Sequence, residues 1–232
     1  MDSVILTEGH SEWDILPAVF DRCPLLSPKP MVRRVQIDPH ESLERIAQKV
    51  FDFVKDNLLL SGTAPLHLIL TLDLDKRPDC IKEYSTNAVR LIQENCLANN
   101  PELKSLLMVD VVIKVHGLES WLIADSEAFQ ELSETMPDSH LIRQRVQAVA
   151  DVSEIRNPKE LLEKACRGKR YKKRQGANEI ASHINIHRAA LKSRSLRRLL
   201  RVLGVPPYQN QSRIPTKSEH SCTSFKEFNK QL

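Results

Sequence analysis

Leu66-His67-Leu68-Ile69-Leu70-Thr71-Leu72-Asp73-Leu74-Asp75 is an apolar run that ends in two acids. A second run of the same kind opens the chain: Val4-Ile5-Leu6-Thr7 leads into Glu8-Gly9-His10-Ser11-Glu12. Both read as strands. If they lie parallel in one sheet, Glu8, Asp73 and Asp75 meet at its carboxyl edge, where open α/β sheets place their ligands. Two carboxylates ~5 Å apart repel by about 3 kcal/mol at an effective dielectric near 20. Three together need protons or cations to neutralise them. Magnesium or manganese, which prefer oxygen ligands, is the expected cofactor.

Around these two runs the periodicity alternates. Trp13, Leu16 and Phe20 fall at helical spacing after Ser11, which is placed to cap that helix with Asp14 at its third position; Pro17 is expected to kink it. Met31 to Asp38 reads as a second strand. Leu43, Ile46, Val50, Phe53 and Val54 form one face of an amphipathic helix. Cys80 to Asn95 reads as a helix, Val109 to Val115 as a fourth strand, and Glu119 to Phe129 as a helix. This β-α-β-α-β-α-β order predicts an α/β fold, a mainly parallel sheet flanked by helices. Past residue 135 the strand signal stops. Asn157-Pro158-Lys159-Glu160 is a helix start. Leu196, Leu199, Leu200 and Leu203 form a stripe that either packs on the core or docks a partner. The expected organisation is a catalytic domain at 1–134, a basic helical region at 135–204 and a mobile tail at 205–232. No internal repeat is visible.

The net charge of +4 conceals a division. Residues 1–140 hold 13 Lys+Arg and 23 Asp+Glu, net −10; residues 141–232 hold 21 Lys+Arg and 7 Asp+Glu, net +14. An acidic half with a possible metal site and a basic half suit an enzyme acting on a polyanion. Seven basic residues lie between Lys164 and Arg174, without an acid. Lys169, Arg170, Lys172, Lys173 and Arg174 are the candidate nucleic-acid contacts there, with Arg194, Arg197, Arg198 and Arg201 expected on the same surface. The five cysteines are odd in number and contain no CxxC pair, so zinc and disulfide frameworks are disfavoured and a reducing cytoplasm is expected. No apolar run approaches the roughly eighteen residues of a membrane span. The chain enters a strand at once, so no signal peptide is expected.

Strand-Glu-Gly-x-x-Glu followed some sixty-five residues later by strand-Asp-x-Asp resembles the Toprim fold shared by topoisomerases, primases and overcoming-lysogenization-defect nucleases. His116-Gly117-Leu118-Glu119-Ser120-Trp121-Leu122-Ile123-Ala124-Asp125 resembles a stretch of an uncharacterised Toprim-like family encoded beside ABC-type ATPases in bacterial defence islands. Asn157-Pro158-Lys159 and Tyr171-Lys172-Lys173 extend that resemblance. It implies a metal-dependent nuclease, the effector of an anti-phage system with an ATPase partner. By the same resemblance Glu8 is the general acid or base, or a metal ligand. Asp73 and Asp75 hold magnesium, and Glu12 is a supporting carboxylate or a ligand of a second metal.

Gly9 permits a tight turn and close approach of a phosphate. Lys76 and Arg77 either hold phosphate oxygens or form a solvated loop. Glu119 either completes the acidic cluster or caps the helix bearing Trp121. His10 and His116 contact substrate or are hydrogen-bonded turn residues, and Asp125 ends a helix or pairs with a basic side chain. Two rival readings stand. One is a catalytically silent module that binds nucleic acid or docks an ATPase. The other is a haloacid-dehalogenase-like phosphatase, which also uses Asp-x-Asp but leaves Glu8 unexplained. A topoisomerase or primase would need a catalytic-tyrosine domain or a zinc ribbon, and neither is evident.

Overall fold

The computed structural model describes residues 2–38, 40–57, 65–74, 80–101, 106–166 and 173–209. Four strands form one parallel sheet: β1 (Asp2–Thr7), β2 (Met31–Arg34), β3 (Leu66–Asp73) and β4 (Leu107–Lys114), in the order β2-β1-β3-β4. Helices α1 (His10–Asp21), α2 (Leu43–Asn57), α3 (Ile81–Asn99) and α4 (Gly117–Ala124) follow the strands in turn. The predicted alternation is therefore present.

Alternate residues of each strand enter two separate cores, because strand side chains alternate between faces. Val4, Leu6, Leu68, Leu70, Leu72 and Val111 meet Ile46, Val50 and Val54 of α2 and Tyr84, Ala88 and Ile92 of α3. Ile5, Ile69, Val32 and Val112 face α1, α4 and the helices beyond residue 139. Those are α5 (His140–Gln147), α6 (Pro158–Ala165), α7 (Lys173–Ala181), α8 (Ile186–Lys192), α9 (Arg194–Val202) and α10 (Pro206–Gln209). With both faces covered, the strands carry near-continuous apolar runs.

The leucine stripe joins this second core. Leu196, Leu199 and Leu200 are buried and Leu203 packs against them, each buried leucine contributing roughly 1.5–3 kcal/mol. The stripe is a packing surface, not an open docking face. Arg197 and Arg198, whose side chains are 28% and 37% exposed, also bond to the protein's own backbone. Arg197 Nη1 donates to the Ala190 and Leu191 carbonyls at 2.6 and 2.9 Å, next to the end of α8, and Arg198 Nε donates to the Val111 carbonyl at 3.3 Å. Carbonyls at a helix end lack internal partners, and arginine satisfies them.

Other boundaries shift for local reasons. β2 stops at Arg34, not Asp38, because its neighbour β1 ends at Thr7; the Thr7 carbonyl accepts a last bond from Val35 N–H at 3.0 Å. Helix α1 starts at His10 with Gly9 as its cap and runs on through Pro17, which is exposed. Its buried face is Glu12, Ile15, Leu16, Val19 and Phe20. Trp13, read as part of the apolar set, instead faces solvent at 42% exposure. α4 ends at Asp125, whose buried carboxylate takes a two-pronged bond from Arg188 at 2.8 and 2.9 Å and accepts Asn185 N–H at 2.7 Å. That fixes α4 to the C-terminal helices. Among the described residues, no helix is long and apolar enough to cross a membrane.

Candidate active site

The chain leaves β1 towards one side of the sheet and returns to the other side as β3. The gap between β1 and β3 at the carboxyl edge is thus the topological switch point, where open α/β sheets open a crevice. Glu8 follows β1 and Asp73 ends β3. Glu8 Oε2 accepts the Asp73 backbone N–H at 2.9 Å, so the two strand ends are tied together there. Lys114 ends β4 in register with Asp73.

Glu119 comes from the first turn of α4. The helix is entered through Gly117, whose φ of +65° is the left-handed conformation that glycine adopts without penalty. A Cβ at Gly117 would lie 3.3 Å from Asp73 Oδ2 and 3.4 Å from Glu119 Oε2. Both carboxylates therefore point at the same small space, and only a glycine leaves it open. Ser120 Oγ donates to the Gly117 carbonyl at 2.8 Å and stiffens this turn.

Beneath the carboxylates lies Lys114, with no exposed surface. Its ammonium pairs with Glu12 and, at 3.0 Å, with Asp73 Oδ1. Trp121 roofs it, 5.7 Å from Nζ to the ring centroid, and is held by its own N–H to Ser195 Oγ at 2.7 Å. A fully buried lysine is rare unless paired. Here it supplies the cation that the clustered acids demand. Burial pushes the Lys114 ammonium towards neutrality, but Asp73 and Glu12 outweigh it and hold its pKa above the ordinary lysine range.

Glu12 is buried, and that raises its pKa above the usual 4.5; Lys114 opposes the shift and Asp73 reinforces it. Two acids share one lysine, and burial disfavours the charged form of the more enclosed of them, Glu12. Its other oxygen accepts Gly9 N–H at 3.2 Å, so it also closes the first turn of α1. A carboxyl with a raised folded pKa favours the fold below the ordinary range, and this contribution is lost as pH rises through the raised value. Unfolding free energy measured against pH should therefore fall less steeply above pH 4.5 in Glu12→Gln than in the wild type. Equal slopes would mean that Glu12 feels neither its burial nor Asp73.

Asp73 differs from its neighbours in reach. Its side chain is 33% exposed, whereas Glu12 and Lys114 are sealed. The crevice presents Asp73 to solvent with Glu119 beside it and the lysine behind. All the donors are hard oxygens, which fit magnesium or manganese. Among the described residues no three His, Cys, Asp or Glu side chains gather closely enough to hold a metal ion by themselves. Asp75, the remaining expected ligand, lies outside the described residues, as do Lys76 and Arg77. Lys169, Arg170 and Lys172 lie outside them as well; Lys173 and Arg174 begin α7, but their side chains are not described.

The structure thus brings together Glu8, Glu12, Asp73 and Glu119, and adds Lys114, which sequence reasoning passed over. The available signal was a lysine directly after the apolar run Val111-Val112-Ile113. His116 is a turn residue whose Nε2 contacts the Ser153 carbonyl at 3.1 Å.

Residues 26–204 match a family described as a domain of unknown function, DUF4276. Asp73, Lys114 and Glu119 fall within the match; Glu8 and Glu12 precede it. No curated protein matches the chain. Among solved structures it is similar to the C-terminal region of the Xanthomonas campestris pv. campestris OLD protein. The iodine-phased structure shows 17% identity over 90% of this chain and 98% of that one, with a TM-score of 0.46. The mercury-phased structure shows 18% identity over 87% and 93%, with a TM-score of 0.44. Since the family match extends over most of its length, this chain belongs to the DUF4276 family.

Proposed function

We propose that this protein is a divalent-metal-dependent nuclease of Toprim type that cleaves phosphodiester bonds in nucleic acid. The carrying observation is the convergence of Asp73 and Glu119 on one solvent-reaching space at the switch point, with Glu8 bound to the Asp73 amide and Lys114 sealed behind. Asp73 and Glu119 would hold the cation, with Glu8 and Asp75 completing the set. When bound, magnesium or manganese supplies charge stabilisation at phosphorus and activation of the attacking water.

The protein's own residues do the positioning. Lys114 fixes one oxygen of Asp73 and leaves Oδ2 turned to the crevice. The backbone amide of Asp73 orients Glu8. Gly117 keeps the space clear for a phosphate oxygen. The basic C-terminal half supplies attraction for a polyanion. Family resemblance adds an ABC-type ATPase partner and a role in anti-phage defence, which co-expression toxicity assays can examine.

One observation favours the silent-module reading: Lys114 already offsets Glu12 and Asp73 without a metal. Incubation of the purified protein with supercoiled plasmid, single-stranded DNA and single-stranded RNA separates the readings. The nuclease account expects cleavage with Mg²⁺ or Mn²⁺ and none with EDTA. Binding without cleavage under every metal would favour the silent module. Phosphate release from p-nitrophenyl phosphate with intact polymers would favour the phosphatase.

A further inference from the structure

Beside the acidic crevice lies a cleft that the reaction described above does not use. It has a volume of about 410 Å³ and is lined by His10, Trp13, Arg33, Arg34 and Gln36. His10 and Trp13 belong to the first turn of α1, two and five residues beyond Glu8; Arg33 and Arg34 end β2, the edge strand beside β1. The cleft therefore opens at the same edge of the sheet as the catalytic carboxylates.

Its chemistry is unlike theirs. Neither arginine meets a carboxylate among the described residues: Arg33 Nη1 donates to the Val32 carbonyl at 3.0 Å, and Arg34 Nη1 donates to His10 Nε2. Arg34 Nε is buried without a hydrogen-bond partner. Both arginines line the cleft and meet no carboxylate among the described residues, so they attract an anion, and their forked donors match phosphate oxygens. Above them stands Trp13, a large exposed aromatic. Its ring is tilted at 50° to His10, with 6.3 Å between centroids, so the two rings bound an open face. An exposed indole near arginines that no described carboxylate neutralises is an arrangement by which proteins stack an unpaired base while gripping its phosphate.

We infer that this cleft binds one nucleotide of a single-stranded segment flanking the scissile bond, its base against Trp13 and its phosphate on Arg33 and Arg34. This deepens the nuclease reading by naming its substrate as nucleic acid with unpaired bases next to the cut. A base still in a duplex has both faces stacked and cannot present one to Trp13.

The test measures binding by the full-length protein in EDTA, so that cleavage plays no part. The probes are fluorescein-labelled dT20 and a blunt 20-base-pair duplex. Trp13→Ala should weaken dT20 binding about 10-fold or more and leave duplex binding unchanged, while Trp13→Phe retains part of the affinity. Arg33→Ala with Arg34→Ala should flatten the salt dependence for dT20 by roughly 1.4 units. Because Trp121 is sealed in the core and Trp13 is exposed, dT20 should quench the tryptophan emission, and Trp13→Phe should abolish that quench. Equal dT20 affinity in wild type and Trp13→Ala, equal losses for both probes, or a quench that survives Trp13→Phe would overturn the inference. The two claims fail separately: a cleaving enzyme indifferent to Trp13 overturns only the cleft, and Trp13-dependent binding without metal-dependent cleavage overturns only the nuclease.

Discussion

Lys114→Met is expected to destabilise the protein by about 3–5 kcal/mol, because it leaves Glu12 and Asp73 in a buried pocket without their counter-charge. For a chain of this length that corresponds to a fall in melting temperature on the order of 10 °C. Methionine fills most of the lysine's volume, so the loss is electrostatic rather than a cavity. Adding Glu12→Gln to the variant should recover part of the loss, since it removes the more deeply buried of the two stranded acids. Thermal and urea denaturation of the single and double variants provide the check. If Lys114→Met were as stable as the wild type, something other than this lysine would be holding the acids together.

Asp73→Asn should have the opposite profile: a large loss of activity with little change in stability. Removing one of two acids that share a single lysine leaves a one-to-one Glu12–Lys114 pair, so the pocket loses its excess negative charge. The asparagine keeps the backbone N–H that holds Glu8. Yet the oxygen facing Glu119 is no longer part of a carboxylate. Replacing a residue that merely supports a metal ligand costs 10- to 100-fold, so losing a ligand itself should cost at least about 100-fold in cleavage rate. Melting temperature measured on the same preparation distinguishes this from unfolding. An active, stable Asp73→Asn protein would remove Asp73 from the chemistry.

The sheet and the position of its acids were legible because their signals are local and redundant. Unbroken apolar runs ending at Glu8 and Asp73 mark strands covered on both faces, and helical periodicity between them forces parallel crossovers. Lys114 was not legible, because a single charge at the end of Val111-Val112-Ile113 reads as the exit of a strand. Only the register that sets it opposite Asp73 shows what it does. Glu12 was read as a supporting carboxylate, but its bond to Gly9 N–H depends on where α1 begins, and Ser11, two residues further on, competes as a cap. Trp13 was misassigned for a related reason. The buried face keeps Leu16 and Phe20 but centres on Glu12, Ile15 and Val19, which leaves the indole at its margin, turned out. Arg197 and Arg198 show what charge counting omits: a helix end and a neighbouring strand take some of their donors, while both side chains keep exposed surface.

The central claim is that the carboxylates at the β1–β3 edge bind a divalent cation that drives phosphodiester cleavage. Its most direct test is the rate of plasmid cleavage as a function of Mn²⁺ concentration, for wild type and Asp73→Asn at matched folded fractions. The account predicts a rate that rises from zero and saturates for the wild type, and a flat line at background for Asp73→Asn. A wild-type rate independent of Mn²⁺, or the same saturation curve for both proteins, would contradict it.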